Sequence, residues 1–539
     1  MPTLALPQEQ RNQPCLTAPS AMRGEVSMTD GSQLPQRDAT TTAGTAAAGD
    51  VDWASLQQQL QKADAGTLYL PGDSSYYPLS IPQNHRYADV RPQGVVCPGN
   101  DTGENGAEGV SIAIKWAHEQ GLPVAPRSNG HNYAGYSTTP GLLLNLSRLK
   151  NPCLIPSNGD TPLLKAGSGT TNADVYPWLR RQSAPHVAIP TGRCPSVALG
   201  GLVLGGGIGF SDRKYGLTCD TLVETTVVLA DGRIVTANEH NEYSDLFWAC
   251  RGGAGNNFGV TVDFTFKTHP VPAQFSVFDL KWPIKDTVAV VQAMQNLIAD
   301  AGTPDGFHLR LGIGTSGRSP AESAENANCN AMGEFYGTAA DLRKLLKPVL
   351  DCASPTLKSR IEDMDFWRAT DYTFATTPVL QWGGKSAIVN EKLTPDQITA
   401  CVDAMKTWPG SRNDDGAGIA LFAMGGAINE VRPDATAFFH RNAHFIMALE
   451  SSWADDDSSA TAQACRDWLN SLYTQVWGAN GPDHCYQNFP DPDLTRWSER
   501  YYGSNYNRLV EVKKKYDPAG MFHYGQSIGN QSQINPDPA

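Results

Sequence analysis

Two glycine-rich loops, each built around one nucleophilic side chain, constrain this chain more than anything else in it. The first is Pro126-Arg127-Ser128-Asn129-Gly130-His131-Asn132-Tyr133-Ala134-Gly135-Tyr136-Ser137. The second runs Gly192-Arg193-Cys194-Pro195-Ser196-Val197-Ala198-Leu199-Gly200-Gly201 and continues to Gly205-Gly206-Gly207-Ile208-Gly209. Glycine lets a backbone take φ > 0 and approach a ligand closely, and consecutive amides can form a concave nest for pyrophosphate. Taken singly, each loop reads equally well as an ordinary turn-rich connection. Neither fits the dinucleotide fingerprint, because no helix with an acidic residue some twenty positions on follows in register, and a Gly-Lys-Ser/Thr phosphate loop is absent.

Bulk properties narrow the remaining classes. The chain has 539 residues, room for roughly two to four average domains or two large ones. With 40% apolar and 18% charged residues it has the composition of a globular protein. No apolar run reaches the length of a membrane-spanning helix, so no membrane partner is expected. A net charge of −13 argues against nucleic acid, whose phosphates need clustered Lys and Arg. The 11 cysteines, an odd number, include no Cys-x-x-Cys pair, so neither a disulfide scaffold nor a metal site is expected. Residues 1–50 are rich in Gln, Pro, Ala, Thr and Ser and lack the apolar core of an intact secretory signal. They read as a disordered leader, and the compartment, cytoplasmic or secreted, stays open.

Periodicity organises the rest. Val95–Pro98, a helical stretch through Val110, Ile112, Ile114 and Ala117, and Leu122–Pro126 read as strand, helix, strand. Leu142–Leu146, Leu163–Gly169, Thr225–Ala230 and Thr261–Thr268 read as further strands, and Asp231-Gly232 as a hairpin turn. From about 272 longer helices appear, at Thr287–Asp300, Ala339–Leu350, Pro395–Trp408 and Ser459–Gln475, between strands at Ile419–Met424 and His444–Glu450. The expected division is 51–271, 272–484 and 485–530, with a short tail at 531–539.

Further segments complete an ordered set. They are Asp245-Leu246-Phe247-Trp248-Ala249 with Arg251-Gly252-Gly253 and Asn257-Phe258-Gly259-Val260, then Tyr502-Gly503 with Asn505, Arg508 and Leu509, then Lys515-Tyr516-Asp517-Pro518 closing on Gln526-Ser527-Ile528. With these, the chain resembles the berberine bridge enzyme-like oxidoreductases of the vanillyl-alcohol oxidase group over roughly Arg91 to Gly529. The resemblance implies an α+β fold: a PCMH-type FAD-binding domain in two discontinuous parts, 51–271 and 485–530, around a substrate domain of antiparallel sheet and helices. It implies FAD held twice, by a ring nitrogen of His131 on the flavin 8α-methyl and by a Cys194 thioether at C6. The cofactor contacts it implies are Arg127, Ser128, Asn129, Gly130, Gly192, Val197, Gly200, Gly201, Gly205, Gly259, Val260 and Asn505. For the Asp245–Val260 segment, packing of helix on sheet is an equal alternative to FAD contact.

The implied activity is oxidation of an alcohol or hemiacetal on a bulky natural product or oligosaccharide, by hydride transfer to flavin N5, with O2 as acceptor and H2O2 as product. An oxidative cyclase or dehydrogenase, or a catalytically impaired flavin binder, is the alternative. Such a reaction needs a base for the hydroxyl proton. Relatives use a tyrosine in Tyr-x-Asn-Tyr; here the stretch is Tyr486-Gln487-Asn488-Phe489, and Phe489 takes no proton. Tyr486 is the first candidate, Tyr133 and Glu450 the others. Phe422 and Phe489 favour an aromatic or polyketide-like substrate. Val197 matches the residue that leaves room for O2, while Ala198 stands where glycine is usual.

Overall fold

In the strand Phe307–Thr315, Phe307, Leu309, Leu311 and Ile313 alternate with His308, Arg310, Gly312 and Gly314. Successive side chains of a strand point to opposite faces, so this segment has one apolar face and one that is polar or bare. The computed structural model, which describes residues 51–374 and 381–530, makes this strand the centre of a seven-stranded antiparallel sheet. The order is Arg360–Asp363, Ser276–Pro283, Asn328–Phe335, Phe307–Thr315, Ala417–Ala423, Phe445–Trp453, Gln381–Val389. Its apolar face, with Leu309, Leu311, Ala331, Leu421 and Met447, packs on Val291 and Met294 of the helix Thr287–Ala299, Ile398 and Met405 of Pro395–Met405, and Leu469 and Leu472 of Ser459–Trp477. The expected helix over Ala339–Leu350 is two, Ala339–Leu345 and Lys347–Cys352. Pro348 lacks an N–H and its ring opposes the carbonyl four residues back, so one helix cannot run through.

The opposite face of this sheet turns toward the N-terminal half. There a four-stranded sheet (Gly66–Tyr69, Gly94–Pro98, Leu142–Asn145, Val124–Arg127) lies beside a five-stranded one (Cys153–Ile155, Leu163–Gly167, Val260–Lys267, Leu222–Val228, Ile234–Asn238). The helix Gly106–Glu119 carries Val110, Ala113, Ile114 and Ala117 on its buried side and joins both, packing with Val96, Leu142 and Leu144 of one and Val228, Val260 and Val262 of the other. Val228 pairs with Ile234 across the Asp231-Gly232 turn, the hairpin the sequence predicts.

The C-terminal helix Tyr506–Tyr516 returns to this half. Leu509, Val512 and Tyr516 join the core that holds Phe247 and Trp248. The Asp245 carboxylate accepts from Lys515 Nζ (2.7 Å) and Tyr516 Oη (2.6 Å). Lys513, buried, donates to the carbonyls of Asn257 and Phe522 and to Asp517. Among the described residues no helix is long and apolar enough to cross a membrane.

Candidate active site

Between the bare face of the large sheet and the two glycine loops lies a cavity of 780 Å³. The strand Val124–Arg127 ends at Arg127 and delivers the first loop into it. Arg127 donates to the carbonyls of Ser80 (3.0 Å) and Leu79, and burial pushes it down to about 10. The second loop hangs on the start of the helix Asn172–Arg180. Asn172 Nδ2 donates to the Cys194 carbonyl (2.8 Å), its N–H to the Val197 carbonyl (3.0 Å), and the Ala173 N–H to the Pro195 carbonyl (2.9 Å). Pinned this way, the Cys194–Val197 turn faces the first loop. His131 Nε2 stands 2.9 Å from Ser196 Oγ, and the same oxygen is 3.7 Å from Cys194 Sγ. Asn129 Nδ2 donates to the Ser196 carbonyl. Burial pushes the His131 imidazole down to about 4, against a smaller upward pull from the Ser196 backbone, so it is neutral at ordinary pH.

Across the cavity, Tyr133 donates its phenol hydrogen to Glu450 Oε1. Glu450 has Gly384 and Gly418 as its strand neighbours, and Tyr133 packs its ring where a Gly384 Cβ would be. Burial raises the Glu450 carboxyl most; the Tyr133 hydrogen bond lowers it, Asp415 raises it and Arg310 lowers it. Burial likewise raises Asp415, with Arg310 opposing. Two carboxyls thus share one guanidinium. Phe489 sits between the candidate tyrosines, its ring centroid 5.2 Å from Tyr133 and 5.0 Å from Tyr486.

Of the residues expected to hold cofactor or substrate, Arg127, Ser128, Asn129, Gly130, His131, Tyr133, Gly192, Cys194, Val197, Gly200, Gly201, Gly259, Glu450 and Tyr486 all line the cavity. Tyr486 lies in a turn closed by Phe489 N–H on its carbonyl. Its hydroxyl accepts from Gly207 N–H (3.1 Å) and Asn488 Nδ2 (3.2 Å), which fixes it on the glycine-rich segment.

Three of the expected contact residues lie outside the cavity lining. Gly205 packs against Asn488, whose Oδ1 a Cβ there would meet at 2.0 Å. Val260 points into the helix–sheet core, because on that strand Gly259 and Thr261 line the cavity and the residue between them faces away. Asn505 spends its side-chain amide on the carbonyls of Pro433 (2.7 Å), Thr436 (3.2 Å) and Ala437 (3.5 Å), outside the cavity. In the Asp245–Val260 segment the helix packs into the core, while Gly255, Asn256 and Gly259 line the cavity.

Sequence reasoning missed Arg310, Asp415 and the Arg193–Glu334 pair. Arg193 Nη2 donates to Glu334 Oε2 at 2.6 Å, both side chains buried, and ties the cysteine loop to the large sheet. Arg310 had a signal, a cation on the non-apolar face of an otherwise alternating strand. No group of three metal-binding side chains occurs among the described residues.

Known proteins share this layout. A family profile described as "FAD binding domain" matches residues 92–238, and one described as "Berberine and berberine like" matches 485–529. The FAD-linked oxidoreductase YgaK of Bacillus subtilis, itself uncharacterised, is 32% identical over 77% of this chain and 88% of its own. This chain belongs to the berberine bridge enzyme-like family of FAD-linked oxidoreductases. A solved structure of Physcomitrella patens BBE-like 1 matches 89% of this chain and 100% of its own, with a TM-score of 0.76 at 27% identity. The glucooligosaccharide oxidase of Acremonium strictum, described with a 6-S-cysteinyl, 8α-N1-histidyl FAD, matches 88% of this chain and 99% of its own, with a TM-score of 0.74 at 26% identity.

FAD fits the cavity's own chemistry. Ser137 Oγ, Asn256 Oδ1 and Gln526 Oε1 are buried on its lining without a partner among protein atoms. Buried polar atoms are rarely left so, and a polar cofactor supplies what they lack. At Gly201 a Cβ would meet nothing within 4 Å, so the backbone there faces open space that a ligand can approach.

Proposed function

We propose that this flavoenzyme carries FAD on two covalent links, His131 and Cys194, and oxidises an alcohol or hemiacetal on a bulky substrate. Held by His131 and Cys194, FAD would supply the hydride acceptor at its N5, with O2 as the terminal oxidant and H2O2 as the product. The observation that carries the reading is the Tyr133–Glu450 pair facing the histidine loop. Glu450 takes the hydroxyl proton as hydride leaves the carbon, and Tyr133 orients the carboxylate by donating to it. Arg310 opposes the burial that raises the Glu450 carboxyl, favouring the carboxylate form that the base role needs. Tyr486, already accepting two hydrogen bonds, holds the glycine segment rather than the proton.

A bulky substrate is supported by the small residues of the sheet face. Gly312, Gly314, Gly418 and Ala420 leave the floor low, while Trp382, Phe422 and Phe489 offer ring faces and Asn328, Asn330 and Asp414 offer polar atoms. That mixture suits an aromatic glycoside, a polyketide-like alcohol or an oligosaccharide end.

Acid precipitation tests the links: flavin that stays with the denatured chain is expected, and a colourless pellet overturns them. H131A and C194A should each keep flavin through the other residue. Anaerobic flavin reduction by a panel of oligosaccharides and benzylic alcohols, followed by peroxide detection on admitting O2, tests the reaction. Loss of reduction in Tyr486→Phe with Glu450→Gln unaffected would transfer the base role to Tyr486.

A further inference from the structure

We propose that Ser196 is the positioning residue that prepares both nucleophiles for their bonds to the flavin; the inference rests on the two-link reading above. Its hydroxyl meets both side chains, at 2.9 Å from His131 Nε2 and 3.7 Å from Cys194 Sγ. The turn around it does not use that hydroxyl. The turn is made by Val197 N–H on the Cys194 carbonyl and by Asn172 and Ala173, and Asn129 takes the Ser196 carbonyl. A serine kept only for the turn has no need to place Oγ between the two reactive atoms.

A neutral imidazole carries one N–H, and a hydroxyl donates once and accepts twice. This role requires the tautomer in which Ser196 Oγ accepts the Nε2–H of His131, leaving the lone pair on Nδ1 of a residue that lines the cavity. The Ser196 hydroxyl hydrogen is then free to point at Cys194 Sγ and orient the sulfur for attack.

Atoms and electrons balance for each link. The imidazole bond replaces one hydrogen of the 8α-methyl and releases the Nε2–H proton of His131 toward Ser196. The thioether replaces the hydrogen at C6 and releases the thiol proton. In each case two electrons and two protons pass to the isoalloxazine, and dioxygen removes them as hydrogen peroxide.

The test is the isosteric pair Ser196→Thr and Ser196→Val, with Ser196→Ala alongside, each purified as the flavin-loaded protein. Peptide mapping by mass spectrometry gives the fraction of His131 and of Cys194 that carries flavin, and acid-released flavin gives the fraction bound without a link. One charge-assisted hydrogen bond corresponds to roughly a ten- to hundredfold change in rate. Thr, which keeps the hydroxyl, should link at wild-type yield. Val should form both links at least about tenfold more slowly while still binding FAD that acid releases. Equal linking in Thr and Val, or full linking in Ala, overturns the role of Ser196. Failure of wild type itself to carry both links overturns the underlying reading, a different and separately visible result.

Discussion

Tyr133 donates to Glu450 from the loop that also carries His131, so the residue that orients the candidate base stands two positions from the candidate flavin tether, and the base is held to that loop across one cavity. The pair ties the chemistry of the substrate sheet to the position of the cofactor. Nothing else in the cavity couples a buried carboxyl to a phenol in this way among the described residues.

Glu450→Gln should slow anaerobic flavin reduction by about 10²- to 10⁴-fold, the usual worth of a positioned base. Tyr133→Phe should cost less, about tenfold, since it removes one oriented hydrogen bond. Burial raises the Glu450 pKa, and only the carboxylate accepts a proton. The reduction rate should therefore rise with pH through a value above the ordinary carboxylate range and then level off. Asp415 raises Glu450 and Arg310 lowers it, so Asp415→Asn should move that limb to lower pH and Arg310→Gln to higher pH. A limb unmoved by either change would remove Glu450 from the base role.

Much of this was legible in the sequence because it is local. The glycines, His131 and Cys194 lie in two short runs, and their motif order survives any detail of packing. Strand alternation was legible too, and Val260, next to Gly259, falls on the parity that faces the helix–sheet core. Asn505 looked like a cofactor contact because a buried amide and a motif position are all that a sequence offers, whereas its partners are carbonyls some seventy residues away in the chain. Arg310 and Glu450 come from different strands of the large sheet and Asp415 from the turn before Ala417–Ala423, and only the tertiary fold puts their charges within reach of one another. That pairing is long-range, and no local pattern encodes it.

Gly200 and Gly201 are adjacent and should respond oppositely to alanine. At Gly200 a Cβ would meet Ser128 Oγ at 2.1 Å and the Ser168 carbonyl at 2.9 Å, so Gly200→Ala forces the two loops apart. Overpacking of this kind costs about 1–3 kcal/mol, read as a drop in melting temperature. At Gly201 nothing lies within 4 Å. Gly201→Ala should keep the fold and lose flavin, measured as the 450-nm-region absorbance per chain at unchanged circular dichroism. Full flavin content in Gly201→Ala would place the cofactor elsewhere in the cavity.

Arg193 and Glu334 form a buried ion pair at 2.6 Å, with Thr373 Oγ1 also donating to Glu334 at 2.9 Å. Removing one partner of such a pair leaves a charge without compensation, at a cost of about 3–5 kcal/mol. Glu334→Ala should thus destabilise strongly in denaturant titration. Replacing both residues by apolar ones of similar volume, Arg193→Met with Glu334→Leu, should recover most of that loss. If the single change is neutral, the pair does not hold the cysteine loop to the sheet.

Ala198 is the last prediction, and it concerns the acceptor. It lines the cavity next to Val197, buried, with φ −94° and ψ 150°, an extended conformation open to any residue. Glycine there would bring no conformational benefit, so its effect should come from the removed methyl. In a tight pocket one carbon is worth about 1–3 kcal/mol, or roughly tenfold and upward. Ala198→Gly should raise the bimolecular rate of flavin reoxidation by O2 about tenfold, with reduction by substrate unchanged. Stopped-flow mixing of the reduced enzyme with oxygenated buffer measures this directly. If wild type reoxidises slowly and Ala198→Gly quickly, the natural protein hands its electrons to an acceptor other than O2, and the methyl of Ala198 is what enforces that choice. If the two rates are equal, the oxygen path does not pass Ala198.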